Sequence, residues 1–363
     1  MKQRIASVDL LRGITIAAMI LVNTPGDWGS VYTPLLHAEW HGLTPTDLIF
    51  PFFLFIVGIS IYYAYKNKIA TRLTYRKIAV RSLKLIGLGL FLNLFTPIPP
   101  FIETLETVRI PGVLQRIGVV FFITSWLYLN FKWKVLARIV AFILIGYWLF
   151  LGFVPLPDGT LPAFERAPNN WSNYIDLKLF GKHMWQADYD PEGFMGTFPA
   201  IATCILGVLI AKILDSRGGF KTVKLLGIGG VLIILGYLWH FVFPINKALW
   251  NSSFVLVTAG IGTVILGVIY FIVDVKQWHF GAVFKYAGMN AITVYFLSSL
   301  ISKIFYVIPV GNAYNIHSWL YQHGFVYHDM PAKLSSLVYA LAVVLGYLGL
   351  GYYLYKKKIF IKV

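Results

Sequence analysis

Ten runs of about 20 apolar residues limit the fold of this chain more than any other feature of its sequence. The runs lie at residues 8–23, 47–65, 78–96, 111–130, 135–154, 196–214, 222–243, 251–273, 286–308 and 334–355. A helix of about 20 apolar residues is long enough to cross the hydrocarbon core of a bilayer. We therefore predict an all-α polytopic membrane protein with about ten transmembrane helices.

The composition excludes an ordinary soluble protein. Of the 363 residues, 58% are hydrophobic and 13% are charged, whereas soluble domains average roughly 45–50% and about 25%. A soluble domain of this size could not bury that much apolar surface. Because no low-complexity linker interrupts the sequence, we expect residues 1–363 to form a single membrane domain.

The positive charges predict an orientation. Lysine and arginine exceed aspartate and glutamate by 31 − 15 = 16, and the basic residues concentrate before the first run and after every second run. The intervening segments 24–46, 97–110 and 155–195 carry few of them. Basic loops stay on the cytoplasmic side of a membrane, so we predict that both termini lie inside. The excess charge then serves orientation and contact with lipid headgroups, and no nucleic-acid partner is expected.

The first apolar run follows a short basic segment and resembles a signal peptide in that respect. No small-residue cleavage site follows Asn23, and nine further runs come after it. We therefore interpret this run as the first span.

The outer loop 24–46 holds the strongest candidates for catalysis. An imidazole such as that of His37 can accept and release a proton near neutral pH, which is the work of a general base. Asp47 either caps the second span or, if Thr44 is the cap, turns inward as a buried carboxylate. Glu39 lies close to His37 in sequence, but no further His or Cys cluster completes a metal site, so we predict no metal.

The second outer loop, 155–195, has about forty residues and is long for a simple connection. It ends on Asp190 and Pro191, which form a typical start signal for the sixth span. Asp188 and Glu192 are then free to bind a cationic or hydroxyl-rich substrate. We expect both outer loops to contribute to the active site.

Polar residues within the spans are site candidates, because lipid does not solvate them. Asn23 either caps the first span or holds a carbonyl oxygen. Asp9 and Arg12 are spaced to pair with each other. Arg116, inside the fourth span, requires a carboxylate, a phosphate or a water-filled cavity, and Asn290 is a further intramembrane polar residue.

Six motifs, in order along the whole chain, resemble those of the heparan-α-glucosaminide N-acetyltransferase family of transmembrane acyltransferases, and the short bacterial members most of all. These motifs are Ser7–Gly13 (SVDLLRG), Leu21–Gly26 (LVNTPG), His37–Pro51 (HAEWHGLTPTDLIFP), Arg109–Gly118 (RIPGVLQRIG), Tyr189–Gly193 (YDPEG) and Gly288–Asn290 (GMN).

The resemblance implies a transmembrane acyltransferase fold and an activity. Acetyl would pass from cytosolic acetyl-CoA to the amine of a glucosamine or glucosaminide on the outer side. The active-site histidine of the family falls on His37, its active-site asparagine on Asn23 and a nearby aspartate on Asp47. The histidine acts either as a base in a ternary complex or as an acetylated intermediate, and the sequence leaves both open.

The resemblance also implies a location and partners. We expect an integral protein of a bacterial cytoplasmic (inner) membrane with its active-site loops facing the periplasm or exterior, in contact with lipid and forming a homodimer. The phosphates of acetyl-CoA require cations on the cytosolic side. We assign that role to Arg12, Arg72, Arg76, Arg81, Lys84 and Arg116. We assign acceptor binding to Glu39, Asp188, Glu192 and Asn290.

Two alternatives stay open from the sequence. The first is an O-acyltransferase of the same fold that modifies a cell-envelope sugar. The second is an amino-sugar permease, in which the buried polar residues line a passage and the resemblance concerns the fold alone.

Overall fold

The computed structural model describes residues 5–278 and 280–361. Within these residues the chain is mainly helical. The helices are α1 (Ala6–Asn23), α2 (Ile49–Tyr65), α3 (Arg72–Leu94), α4 (Val113–Asn130), α5 (Trp133–Phe153), α6 (Trp171–Phe180), α7 (Thr197–Leu214), α8 (Lys221–His240), α9 (Ser252–Tyr270), α10 (Ala282–Met289), α11 (Ala291–Val307), α12 (Ile316–Gly324) and α13 (Ala332–Lys356). A small hairpin of β1 (Pro309–Val310) and β2 (Tyr314–Asn315) precedes α12.

Eight helices of the described chain are long and apolar enough to cross a membrane: α1, α2, α4, α5, α7, α8, α9 and α13. A ninth span results if α10 and α11, which meet at 84°, are counted as one broken span. The chain is mostly helical, and these helices agree with the prediction of an all-α polytopic membrane fold. The total of ten stays a prediction, because α3 coincides with the third apolar run but carries five basic residues between positions 72 and 84, and charges are costly in lipid.

Several helices expose apolar side chains on the outside of the bundle. Phe142 of α5, Ile234 of α8 and Leu345 of α13 have exposed fractions of 78%, 60% and 67%. An apolar surface of this kind is favourable where the surrounding medium is lipid. The outer faces of α5, α8 and α13 are therefore consistent with an integral membrane protein.

The interior of the bundle is built around α2, α7 and α9. Helix α2 packs along α7, α8 packs along α9, and α3 packs along α4. Phe55 and Ile59 of α2, Cys204 of α7 and Phe254 of α9 are completely buried in this core. The scaffold that positions the outer loops is thus a closely packed set of apolar helices.

Glycines in two of the family-like motifs allow α1 and α10 to approach closely. A Cβ atom on Gly13 would lie 1.8 Å from the backbone oxygen of Phe284, and one on Gly288 would lie 2.2 Å from that of Asp9. No larger residue fits at either position without moving a backbone. These glycines place the start of α1 directly against the end of α10.

The break between α10 and α11 falls at Asn290. Its side-chain amide donates to the carbonyl oxygen of Ile359 at 3.0 Å, and its side-chain oxygen accepts from the N–H of Ile361 at 3.2 Å. The segment that follows α13 is therefore fastened to the wall of the bundle at the helix break.

The long loop between α5 and α7 is ordered by hydrogen bonds. Asn170 caps the short helix α6 by accepting from the N–H of Ser172 at 2.9 Å. The expectation that Asp190 and Pro191 begin the next span is wrong, because α7 begins at Thr197. Asp190 instead accepts hydrogen bonds from the backbone N–H groups of Trp185 and Glu192 and closes a turn.

Candidate active site

His37 and Asp47 form a hydrogen-bonded pair at the start of the second span. Nδ1 of His37 lies 2.7 Å from one carboxylate oxygen of Asp47, and the other oxygen accepts from the N–H groups of Ala38 and Thr44 at 3.2 and 3.0 Å. Thr44 caps the 3₁₀ turn Pro45–Leu48 that leads into α2. Of the two alternatives that the sequence left open for Asp47, the structure has the second, in which Thr44 is the cap and the carboxylate turns inward. Asp47 is 1% exposed, whereas the His37 side chain is 49% exposed.

A lysine that the sequence analysis did not consider completes this cluster. Nζ of Lys247, in the loop between α8 and α9, lies 3.1 Å from each ring nitrogen of His37 and 3.9 Å from the Asp47 carboxylate. Burial lowers the pKa of Lys247 below its ordinary value, although the carboxylates of Glu192 and Asp47 oppose that shift.

These residues line a large cavity of about 2250 Å³. One end of the cavity, which we call the His37 end, is lined by Asn23, His37, Asp47, Glu192 and Lys247. The other, the Arg12 end, is lined by Arg12, Lys66, Lys77, Arg81 and Arg217. Asp47 and Lys66 lie 19 residues apart along α2 and its leading turn, which corresponds to about 28 Å. Typical ligand pockets measure roughly 300–1,000 Å³, so this cavity extends along much of the bundle.

Arg109 joins the segment 97–110 to the loop 155–195 at the His37 end. Its guanidinium donates to both carboxylate oxygens of Asp190, at 2.8 and 2.5 Å, and to Glu192 at 2.5 Å. Its side chain also lies over the ring of Trp185, 5.4 Å from the centroid. Because Arg109, Trp185 and Glu192 all line the cavity, this network fixes the wall opposite His37.

Arg12 is held by three partners at the other end. It donates to Asp9 at 2.7 Å, to the hydroxyl of Ser60 at 3.0 Å and to the backbone oxygen of Gly288 at 3.4 Å. The expected pairing of Asp9 with Arg12 is confirmed. The motif around Arg12 thereby meets the motif around Gly288.

The other predicted phosphate-binding residues occupy four different places. Arg81 lines the large cavity, and nothing in the described chain accepts a hydrogen bond from its buried Nε. Arg76 and Lys84 line a second cavity of about 310 Å³ along α3, and Arg72 is exposed at the start of that helix. Arg116 is 3% exposed, donates to the backbone oxygen of Gly193 at 2.7 Å and lies over the ring of Trp250.

The predicted acceptor-binding residues are also separated. Glu39 and Glu192 line the His37 end. Asp188 lies at the surface, where it pairs with Arg166 at 2.6 Å. Asn290 lines the cavity close to Arg12 and binds the C-terminal segment. The carboxylates that line the His37 end are thus Asp47, Glu39 and Glu192.

Several aromatic residues at the His37 end were missed as well. Trp28, Trp40, Trp185 and Tyr189 line this part of the cavity, and Trp40 contacts Tyr189 edge to face at 5.3 Å between centroids. Trp40 and Tyr189 fall within the motifs His37–Pro51 and Tyr189–Gly193, whereas Trp28, Trp185 and Lys247 lie outside all six motifs. One signal was available for Lys247, because it is a basic residue in a loop on the side where basic residues are scarce.

Comparison with known proteins identifies the family. The profile described as "Heparan-alpha-glucosaminide N-acetyltransferase, catalytic" matches residues 4–242. The heparan-alpha-glucosaminide N-acetyltransferases of Homo sapiens and Mus musculus are 31% and 29% identical to the chain, over 99% of its length. The chain spans 60% of the length of either relative. Since the profile covers well over half of the sequence, the chain belongs to the heparan-alpha-glucosaminide N-acetyltransferase family.

Proposed function

We propose that this protein transfers the acetyl group of cytosolic acetyl-CoA to the amine of a glucosamine or glucosaminide on the outer side of the membrane. The observation that carries this proposal is the single cavity with a hydrogen-bonded His–Asp pair at one end and a cluster of basic side chains at the other. A donor and an acceptor that approach from opposite sides can meet in such a cavity.

The Arg12 end fits a polyanionic donor. Asp9 pairs with Arg12, and Asp215 pairs with Lys66 at 2.6 Å. Five more basic side chains line this end: Lys68, Lys77, Arg81, Arg217 and Lys221. The free Nε of Arg81 is a buried donor that a phosphate oxygen would satisfy. We therefore assign the phosphates of acetyl-CoA to this end, with Arg12 and Arg81 as the principal contacts.

The His37 end fits an amino sugar. The carboxylates of Glu39 and Glu192 attract a cationic amine, and the rings of Trp28, Trp40 and Trp185 offer flat apolar surfaces to the faces of a sugar ring. We assign the acceptor to this end.

The chemistry rests on His37. The acceptor first loses one proton to solvent, and the neutral amine nitrogen then bonds to the acetyl carbonyl carbon while the carbon–sulfur bond breaks and the sulfur departs. His37 accepts the proton that the nitrogen loses and passes it to the departing sulfur. Asp47, at 2.7 Å, holds the imidazole in one orientation, and Asn23 donates a hydrogen bond to the carbonyl oxygen as negative charge develops on it.

The distribution of basic residues supports an orientation, and the family resemblance supports a location. We propose that the Arg12 end faces the cytoplasm, the His37 end faces the periplasm or exterior, and the protein resides in a bacterial inner membrane. The basic loops between α2 and α3 and between α7 and α8 support this orientation.

The test uses purified protein with radiolabelled acetyl-CoA and glucosamine. We expect N-acetylglucosamine to form, and we expect His37→Ala to lower kcat by roughly 10²–10⁴, the usual contribution of a general base. His183→Ala is the matched control, since His183 lies half-buried in the outer loop with its Nδ1 2.8 Å from the backbone oxygen of Val108. Sugar uptake into CoA-free vesicles without acetylated product would identify a permease instead, and acetyl ester in the product would identify an O-acyltransferase.

A further inference from the structure

Lys247 occupies an unusual position against His37. Its Nζ is equally distant, at 3.1 Å, from Nδ1 and Nε2. A lysine that donated to one nitrogen in the plane of the ring would be much closer to that nitrogen than to the other. The amine therefore lies over the face of the imidazole ring. Nδ1 of the same ring is bound to the carboxylate of Asp47.

The loop that carries Lys247 is fastened to the loop that carries His37. The N–H of Gly42 donates to the backbone oxygen of Ile245 at 2.8 Å, and His41 and Asn246 form a backbone bridge. Asn246 and Trp250, on either side of Lys247, are completely buried. The position of the amine is thus set by the fold, and it is not that of a surface lysine with many rotamers.

We propose that Lys247 is a positioning residue for His37: its ammonium group over the ring opposes protonation of the imidazole and, together with Asp47, fixes the plane of the ring. A cation is attracted to the electrons of a neutral aromatic ring and repelled by a ring that carries positive charge. This inference rests on the proposed function, because it assigns Lys247 to the base of that reaction.

The other charged groups around His37 fall into two sets. Asp47, Glu39 and Glu192 favour the protonated ring, whereas Arg109, which lines the cavity, and the buried Arg116, whose charge acts on Lys247, oppose it. Glu192 is neutralised by Arg109 at 2.5 Å, and Glu39 is exposed to solvent. Lys247, at 3.1 Å from both ring nitrogens, is therefore the cation in closest contact with His37 among the described residues.

The experiment compares Lys247→Met, Lys247→Arg and a control, Lys182→Met, which removes an exposed lysine from the outer loop. We expect the acidic limb of the kcat/KM profile to move to higher pH by at least about one unit in Lys247→Met, with a fall in kcat at pH 6. Lys247→Arg restores the charge and should return the limb toward the wild-type position. Lys182→Met should match the wild type.

A second measurement does not depend on turnover. Diethyl pyrocarbonate reacts with neutral imidazole, so its rate of reaction with His37, followed by mass spectrometry of the His37 peptide, reports the protonation of that ring. When the pH is lowered, the rate of modification falls as His37 becomes protonated. We expect this fall to occur at a higher pH in Lys247→Met than in wild type. If both the kinetic limb and the modification curve of Lys247→Met coincide with those of wild type, the inference is wrong. An inactive wild type with shifted modification curves would overturn the proposed function and leave the role of Lys247 intact.

Discussion

At the His37 end of the cavity the charged side chains bind one another and the backbone, whereas at the Arg12 end most of the basic side chains are exposed. Asp47 is 1% exposed and accepts from His37, Ala38 and Thr44. Lys68 and Arg217, by contrast, lie in solvent at the ends of their helices. The two ends therefore hold charge in different ways.

Under the proposed function, this difference separates catalysis from capture of the donor. Groups with fixed partners keep their geometry during a reaction and lower its barrier. Exposed cations attract an anion from a distance and lose much of that effect in salt. Substitutions at the His37 end should therefore act on kcat, and those at the Arg12 end on the KM for the donor.

The largest effect that separates the two ends is expected for Asp47→Asn. The amide keeps the shape of the side chain but removes the charge that orients His37, so we expect kcat to fall by roughly 10²–10⁴ with little change in the KM for acetyl-CoA. Raising the salt concentration should not alter the ratio of the wild-type kcat to the Asp47→Asn kcat. A variant that instead raised the donor KM tenfold at constant kcat would contradict the division between the two ends.

A smaller effect is expected for Arg81→Gln at the other end. Loss of one charge-assisted hydrogen bond to a phosphate should raise the KM for acetyl-CoA by about tenfold, which corresponds to about 1.4 kcal/mol in binding, and leave the acceptor KM unchanged. Arg76→Gln is the matched control, because both residues lie on α3 and line the smaller cavity, but only Arg81 also lines the large one. Equal effects of the two substitutions would show that α3 contributes a diffuse field and not a specific contact.

The smallest effect is expected on thermal stability and concerns Asp176 of α6. Burial raises the pKa of Asp176 to about 7, although the N–H of Phe194 and the charge of Arg116 oppose that shift. The folded state thus prefers the protonated acid. Its contribution to stability is complete below the ordinary pKa of 3.8 and is lost as the pH rises through about 7.

Asp176→Asn removes this dependence, because the amide is neutral at every pH. We expect the variant to melt a few degrees above wild type at pH 8, corresponding to roughly 1–3 kcal/mol, and the difference to shrink at pH 5. Asp188→Asn serves as the control of opposite sign, since the hydrogen bonds from Arg166 lower the pKa of Asp188. An Asp176→Asn protein with the same melting curve as wild type at both pH values would show that this acid is solvated.

The sequence predicted the features that depend on neighbouring residues. Apolar periodicity located the spans, and the Thr44–Pro45 signal allowed for an inward-turned Asp47. Contacts between segments that are distant in sequence could not be predicted in this way. Lys247 meets His37 across 210 residues and Arg109 meets Asp190 across 81, so no local pattern marks either pair.

The two hydrogen bonds between Asn290 and the segment after α13 matter for protein engineering. Ile361 lines the cavity, so a purification tag or fluorophore fused directly after it is attached at the cavity wall. We expect a fusion at this point to disturb the Arg12 end first. An environment-sensitive dye at the same point would report the entry of the proposed donor into the cavity. Labels intended to be silent belong on the loop between α4 and α5, at Lys132, which is exposed to solvent.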